Sequence, residues 1–336
     1  MKNRNLPLAL CSVLVLSACG GGGGGSGGSG AAAPAVSTAS VITSANANKV
    51  AGNAYAGTTA ISESSSSFSS MLTGVSVGGG NIGVVRPALN LIRNVYPRPA
   101  GQLLTGVVMT EACSGGGSVT IDARVRNEQM ASNGDTIIVT AQRCVEDGMT
   151  INGTLSATLS NVSGDVFNTY TWGATLDTTF TNFGVTSGNE TASVNGDMKI
   201  AITQTNYSNH SMSLSGKSLQ ASMQRGGVTL ESFAMTNYSM TGSTNGATVS
   251  SAASFTMAGS SSALGQYSYT VKNLQPFVSN GSAMPHAGSM LVTGNASSVT
   301  LSVASNSTVR VELSAKGDGA ITQTNNLSWT ELLAAI

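Results

Sequence analysis

From about Gly101 to the C-terminus, apolar and polar side chains alternate with a period of two, and this pattern admits little besides β-strands with one dry face. In Ser118 to Arg126 the residues Val119, Ile121, Ala123 and Val125 alternate with Ser118, Thr120, Asp122, Arg124 and Arg126. The turn-forming run Ser132-Asn133-Gly134-Asp135 follows, and then Ile137, Val139 and Ala141 alternate with Thr136, Ile138, Thr140 and Gln142. Met149 to Ser160 places Ile151, Gly153, Leu155, Ala157 and Leu159 on one side. Another row, Val194, Met198, Ile200 and Ile202, is interrupted by the turn residues Asn195-Gly196-Asp197. Similar segments run from 176–183 to 309–315, nearly all separated by turn residues. About a dozen strands joined by short turns predict an antiparallel sheet.

A weak self-similarity runs through these strands. Phe180-Thr181-Asn182-Phe183, Gln204-Thr205-Asn206-Tyr207, Met235-Thr236-Asn237-Tyr238 and Val271-Lys272-Asn273-Leu274 share an apolar stretch that reaches Asn and a large side chain. Their spacing is irregular, which disfavours a solenoid and suggests one end-of-strand device used repeatedly, with Asn serving turn hydrogen bonds. A sheet with one dry face needs a cover. The fold class expected is therefore mainly β: a large antiparallel meander forming a curved sheet, half-barrel or sandwich, with one short N-terminal helix over the apolar face. Pro87 to Val95 is the segment read as that helix, with Pro at its start, Leu89, Leu91, Ile92 and Val95 at helical spacing, and Pro97 and Pro99 beyond. The tail from Thr330 to Ile336 reads as a second short helix or a docked end.

A transmembrane barrel shares the same alternation. Two Trp and seven Tyr supply few girdle aromatics, and the chain ends on Ile336 rather than on an aromatic residue. Charge excludes another class of partner. Only 9% of residues are charged, with 15 basic against 15 acidic. Removing Lys2 and Arg4 with a leader leaves 13 against 15, a net −2 with no basic footprint for nucleic acid.

That leader is Met1 to Ala18: Lys2 and Arg4, an apolar run from Leu6 to Leu16, then Leu16-Ser17-Ala18-Cys19. The last four residues resemble the lipobox of bacterial lipoproteins. The resemblance implies cleavage before Cys19, a diacylglycerol on its sulfur and a membrane partner reached through that lipid; the next residue is Gly20 and not the Asp that resembles an inner-membrane retention signal, which favours the outer membrane. No family resemblance extends into the β-rich body. Gly20 to Gly30 is a flexible tether, and 31–48 continues in small residues with little order expected. The chain thus divides into a signal peptide (1–18), a lipidated tether (19–48), an N-terminal segment with a short helix (49–100) and an antiparallel β domain (101–336). Of four cysteines, Cys11 leaves with the leader and Cys19 takes the lipid, so Cys113 and Cys144 are expected to form a disulfide in an oxidising compartment; two buried free thiols are the alternative.

Motifs for catalysis are sparse. Gly74-Val75-Ser76-Val77-Gly78 matches a nucleophile elbow, but so does Gly24-Gly25-Ser26-Gly27-Gly28 inside the tether. Gly78 to Gly83 matches a dinucleotide fingerprint without the acid that should follow about 20 residues on. His210 and His286 are isolated, Gly317-Asp318-Gly319 lacks the neighbours of a calcium loop, and no metal ligand set or cofactor is predicted. Asp122, Glu128, Glu146 and Asp147, with Arg124, Arg126 and Arg143, are the one set of charges that a hairpin would gather near a rim. The function expected is a non-enzymatic, outer-membrane-anchored lipoprotein with a structural or macromolecule-binding role at the cell envelope, its partner an envelope protein, glycan or lipid. The alternatives are a carrier of an apolar ligand in a half-barrel, with Gly153, Ala157 and Gly216 leaving room, and a carbohydrate hydrolase built on Asp122.

Overall fold

The computed structural model describes residues 39–58, 107–127, 130–165, 169–281 and 283–336. Cys19, the two glycine motifs between Gly74 and Gly83, and the helix expected over Pro87 to Val95 lie outside them. Among the described residues the strands are β1 (Val107–Ala112), β2 (Ser118–Arg124), β3 (Thr136–Glu146), β4 (Met149–Ser163), β5 (Trp172–Ser187), β6 (Glu190–Asn206) and β7 (Asn209–Arg225). They continue as β8 (Val228–Asn245), β9 (Thr248–Ser261), β10 (Gly265–Asn280), β11 (Ala287–Thr293), β12 (Ser298–Val303), β13 (Thr308–Ser314) and β14 (Gln323–Ser328). Each strand pairs with the next, so the sheet follows chain order from β1 to β14. The fold is the antiparallel meander the alternation predicts, and it does not close into a barrel, since β1 and β14 each have one strand partner.

The dry face is continuous across the strands. Ile121 stands opposite Val139, Val139 opposite Leu155, and Leu155 opposite Phe180. All four are buried. At the other end of the sheet Val292, Val299 and Leu313 form an equivalent row, also buried. Each fully buried aliphatic side chain contributes roughly 1.5–3 kcal/mol relative to exposure.

The repeated Asn motif serves the interior of strands rather than only their ends. Asn182 and Asn237 have φ of 48° and 49°, a left-handed conformation that Asn tolerates, and each falls at a register shift within a pair of long strands. The shifts line up. Between β3 and β8 they occur near Arg143, Gly153, Asn182, Gly196, Gly216 and Asn237, so a seam of bulges crosses six consecutive strands. Polar side chains satisfy the backbone groups that the bulges release. Asn152 Oδ1 accepts from the Arg143 N–H at 2.8 Å, Asn195 Oδ1 from Asn182 at 2.6 Å, and the Asp197 carboxylate from Lys217 and Ser218 at 2.9 and 3.0 Å. Asn195-Gly196-Asp197, expected to be a turn, is therefore a bulge inside β6. Glycine is required at Gly153, where φ is +97° and a Cβ would collide with the Asn182 carbonyl.

A helix does cover part of the dry face. It is α1 over 47–58, in a region expected to carry little order up to residue 48. Val50, Ala51, Ala54 and Tyr55 are buried, and Tyr55 packs edge-on against Phe277 at 5.1 Å and against Trp329 at 4.6 Å. Polar contacts fix the approach: Tyr269 donates to Asn53, Asn325 Nδ2 donates to Asn48 at 2.8 Å, and Ser297 Oγ accepts from the Ile42 N–H at 2.7 Å. Residues 40–42 are thus docked on the sheet rather than loose. The C-terminal helix α2 (Trp329–Ala334) begins with a capping box in which Ser328 and Glu331 exchange hydrogen bonds. Gly52 lets α1 approach it, because a Cβ there would lie 2.7 Å from the Leu332 carbonyl oxygen.

Candidate functional site

Cys113 and Cys144 are joined in a disulfide, with Cα atoms 5.3 Å apart. β1 turns into β2 at Cys113, and the antiparallel pairing of β2 with β3 returns the chain to Cys144. The same corner positions Glu146, whose carboxylate accepts from the Ser114 N–H and hydroxyl, each at 2.8 Å. Those bonds hold the Glu146 carboxyl below its ordinary pKa. Both sulfurs are committed to each other and Glu146 to Ser114, so this trio is a structural clamp.

The expected rim of carboxylates does not assemble. Asp122 pairs with Ile138 in β3, whereas Glu146 ends that strand eight residues later. At the rise of a strand this separates them by about 26 Å along the sheet. Arg143 lies beside Cys144, while Arg124 lies at the opposite end, against Thr136. Glu128 is outside the described residues. Sequence order within a hairpin had suggested one rim; the register distributes these charges along the length of the strands. His210 and His286 share one end of the sheet, on β7 and just before β11, about 19 Å apart at ordinary strand spacing. Asp318 closes the turn between β13 and β14 by accepting from Ser314 Oγ and the Ala320 N–H.

The glycines expected to leave room in the dry face are filled by neighbours. At Gly216 the space belongs to the Tyr238 hydroxyl, which donates to the Asp197 carbonyl, and at Gly153 it belongs to the Asn182–Phe183 backbone. Ala157 is buried opposite Ile137.

Two arrangements escaped the sequence because only cross-strand register creates them. The first is on the outer face. Thr110, Thr120, Thr140, Thr154 and Thr181 form one row across β1 to β5, with hydroxyls 3.0 Å apart at Thr110–Thr120 and 3.1 Å at Thr140–Thr154. Ser218, Thr236, Thr256, Thr270, Thr293 and Ser298 form a second row across β7 to β12. Ser193, Ser222, Ser232 and Ser260 form a third across β6 to β9. Hydroxyls therefore repeat at the strand spacing of about 4.8 Å on a surface with few charges.

The second arrangement lies on the core-facing side, at the end where β5 begins and β6 stops. Trp172, Gln204, His210 and Thr244 stand directly opposite one another on β5, β6, β7 and β8. His210 Nε2 and Thr244 Oγ1 are 3.1 Å apart, and partial burial pushes the His210 pKa below its ordinary value, which keeps the ring neutral at pH 7. Trp172 and Gln204 are only 2% and 4% exposed. Gln204 Nε2 donates to the Asn206 carbonyl at 3.1 Å, yet neither Trp172 Nε1 nor Gln204 Oε1 has a hydrogen-bond partner among the described residues. At the same rim Tyr170 and Tyr207 are exposed and meet edge to face at 5.6 Å. A visible trace of this site is Gln204 itself, a polar residue continuing the inward series of Ile200 and Ile202.

Among the described residues no helix is long and apolar enough to cross a membrane. Comparison with protein-family models, with curated proteins and with solved structures finds no match.

Proposed function

We propose that this chain is a non-enzymatic lipoprotein of the bacterial outer membrane, anchored through Cys19, that presents the outer face of its sheet to a neutral macromolecular partner in the cell envelope. The observation that carries the binding role is the set of in-register hydroxyl rows, above all Ser218 to Ser298 across β7 to β12. Such a face offers donors and acceptors at a regular spacing, and its charges are of both signs, Lys199 with Asp177 and Arg310 with Glu312, so no single sign selects an ionic partner. The leader and its Leu16-Ser17-Ala18-Cys19 end support the address, and the Cys113–Cys144 disulfide is in keeping with an exported body.

Photocrosslinking in intact cells tests the reading. A crosslinker introduced at Thr120 or Thr256 is expected to trap a discrete envelope macromolecule in the lipidated protein, and Cys19→Ser is expected to abolish the adduct by releasing the body from the membrane. Absence of adducts from both positions, or unchanged adducts in Cys19→Ser, would overturn it.

A further inference from the structure

The last strand of the sheet is an open edge. β14 pairs with β13 alone among the described strands, with no register shift between Gln323 and Ser328. Just beyond the last pair the Trp329 N–H donates to the Ser307 carbonyl at 3.2 Å. Hydrogen-bonded residues alternate in an antiparallel ladder. Gln323, Asn325 and Leu327 therefore direct their main-chain groups to β13, and Thr324, Asn326 and Ser328 direct theirs outward. The Ser328 N–H is already taken by the Glu331 carboxylate at 2.7 Å. That leaves the N–H and C=O groups of Thr324 and Asn326, both exposed residues, without a strand partner among the described residues.

Folded proteins usually blunt such an edge with charge, Pro or a bulge. Gln323-Thr324-Asn325-Asn326-Leu327-Ser328 contains no charge and no Pro, whereas β1, the other edge, carries Glu111. The nearest charges are engaged elsewhere: Arg310 meets Glu312 at 3.9 Å, and Glu331 caps α2. We propose that β14 is a self-association edge, pairing antiparallel with β14 of a second copy about a two-fold axis through Asn325. In this register Thr324 of each copy stands opposite Asn326 of the other, and each such pair exchanges both of its N–H···O bonds. Every main-chain group left open at Thr324 and Asn326 is then used. A register centred on Asn326 would instead set Thr324 against Ser328, whose N–H is spent. A second copy fits because a two-fold contact must be self-complementary, and this strand meets its own image with no like charges to repel. One short strand buries less than a permanent dimer does, so the association is reversible and concentration-dependent. The edge is separate from the outer-face hydroxyl rows, and the pairing does not depend on what those rows hold.

Sedimentation velocity tests the pairing, using full-length protein in detergent with micelles in excess, at concentrations on the order of 1 to 300 μM. A reversible monomer–dimer equilibrium is expected, with the Thr324 and Asn326 amides gaining hydrogen-exchange protection as the dimer forms. Asn326→Pro removes an outward N–H and spares the ladder to β13; it is expected to weaken dimerisation by about tenfold or more at an unchanged melting temperature. Asn326→Ala, which keeps the main-chain groups, is expected to dimerise like the parent. The double variant Thr324→Lys with Asn326→Lys places like charges opposite each other and is expected to be monomeric, as is Thr324→Asp with Asn326→Asp, while an equal mixture of the two dimerises again. These exposed substitutions decide the matter if Pro lowers the melting temperature. A monomer at the highest concentration, a dimer unaffected by the charged pairs, or a monomer whose β14 amides are protected by a copurifying peptide would overturn the proposal.

Discussion

The two ends of this sheet are secured by different means. At the C-terminal end, β8 to β14 pack under α1 and α2: Val292, Val299, Val309 and Leu332 are fully buried, and Asn53, Asn48 and Ser297 fix the N-terminal segment by hydrogen bonds spanning more than 200 residues of sequence. At the N-terminal end β1 and β2 are short, and their corner is held by the Cys113–Cys144 bond and the Glu146–Ser114 clamp. The longest strands are β6 to β8, and β8 begins with the exposed Val228 and Leu230 and the partly buried Phe233. One dry face, buried at both ends, is thus further secured by docked helices at one end and by a covalent link at the other, with polar and aromatic surface left at the rims.

The largest expected effect separates the two ends. Replacing both cysteines, Cys113→Ser with Cys144→Ser, should cost about 3–4 kcal/mol on the chain-entropy account of a 31-residue separation. Hydrogen exchange should then accelerate in β1 and β2 while α1 and β11 to β14 keep their protection. Leu332→Ala, at the fully buried centre of α2, should cost about 3 kcal/mol and show the reverse pattern, with α1 and β14 opening first. Uniform loss of protection in both variants would mean that the ends are a single cooperative unit and that the contrast is false.

Smaller effects sharpen it. Ser328→Ala removes the cap of α2 and should lower stability by about 1 kcal/mol, measured by chemical denaturation. Two of the carboxylates with shifted pKa values, Glu146 and Glu231, should act with opposite signs. Glu146 is held below its ordinary value by the Ser114 N–H and hydroxyl. Its stabilising contribution is therefore in place above about pH 4.3 and is lost as the pH falls through its lowered folded pKa. Glu231, partly buried on β8, is pushed up by desolvation. The fold there is more stable below about pH 4.3 and loses that advantage as the pH rises through the raised folded value. Glu146→Gln should accordingly lower the melting temperature at pH 7 and Glu231→Gln should raise it, with both differences disappearing in acid. Shifts of the same sign in both variants would contradict this assignment.

Much of the fold was legible because alternation is a local property. Ile137, Val139 and Ala141 are recognisable as one face of a strand without knowledge of their partners, and the disulfide follows once two adjacent strands form a hairpin. What depended on distant register was not legible. The Asn motifs looked like strand ends, since nothing local distinguishes a left-handed Asn in a turn from one in a bulge such as that at Asn182. The helix over 47–58 was hidden by Gly52, Gly57 and a run of alanines that resemble linker, although small residues are what close contact with Leu332 and Met257 requires. The capping sequence Ser328-Trp329-Thr330-Glu331 was a readable sign of α2. The hydroxyl rows and the Trp172–Gln204 neighbours arise only when strands up to 30 or more residues apart in sequence align.

The address of the protein is tested most directly by intact-mass and peptide mass spectrometry of the chain purified from bacterial membranes. A mature N-terminus at Cys19 bearing acyl chains is expected, with Cys19→Ser protein recovered outside the membrane fraction. An unacylated N-terminus at another position, or Cys19→Ser protein that still sediments with the membrane in full yield, would contradict it.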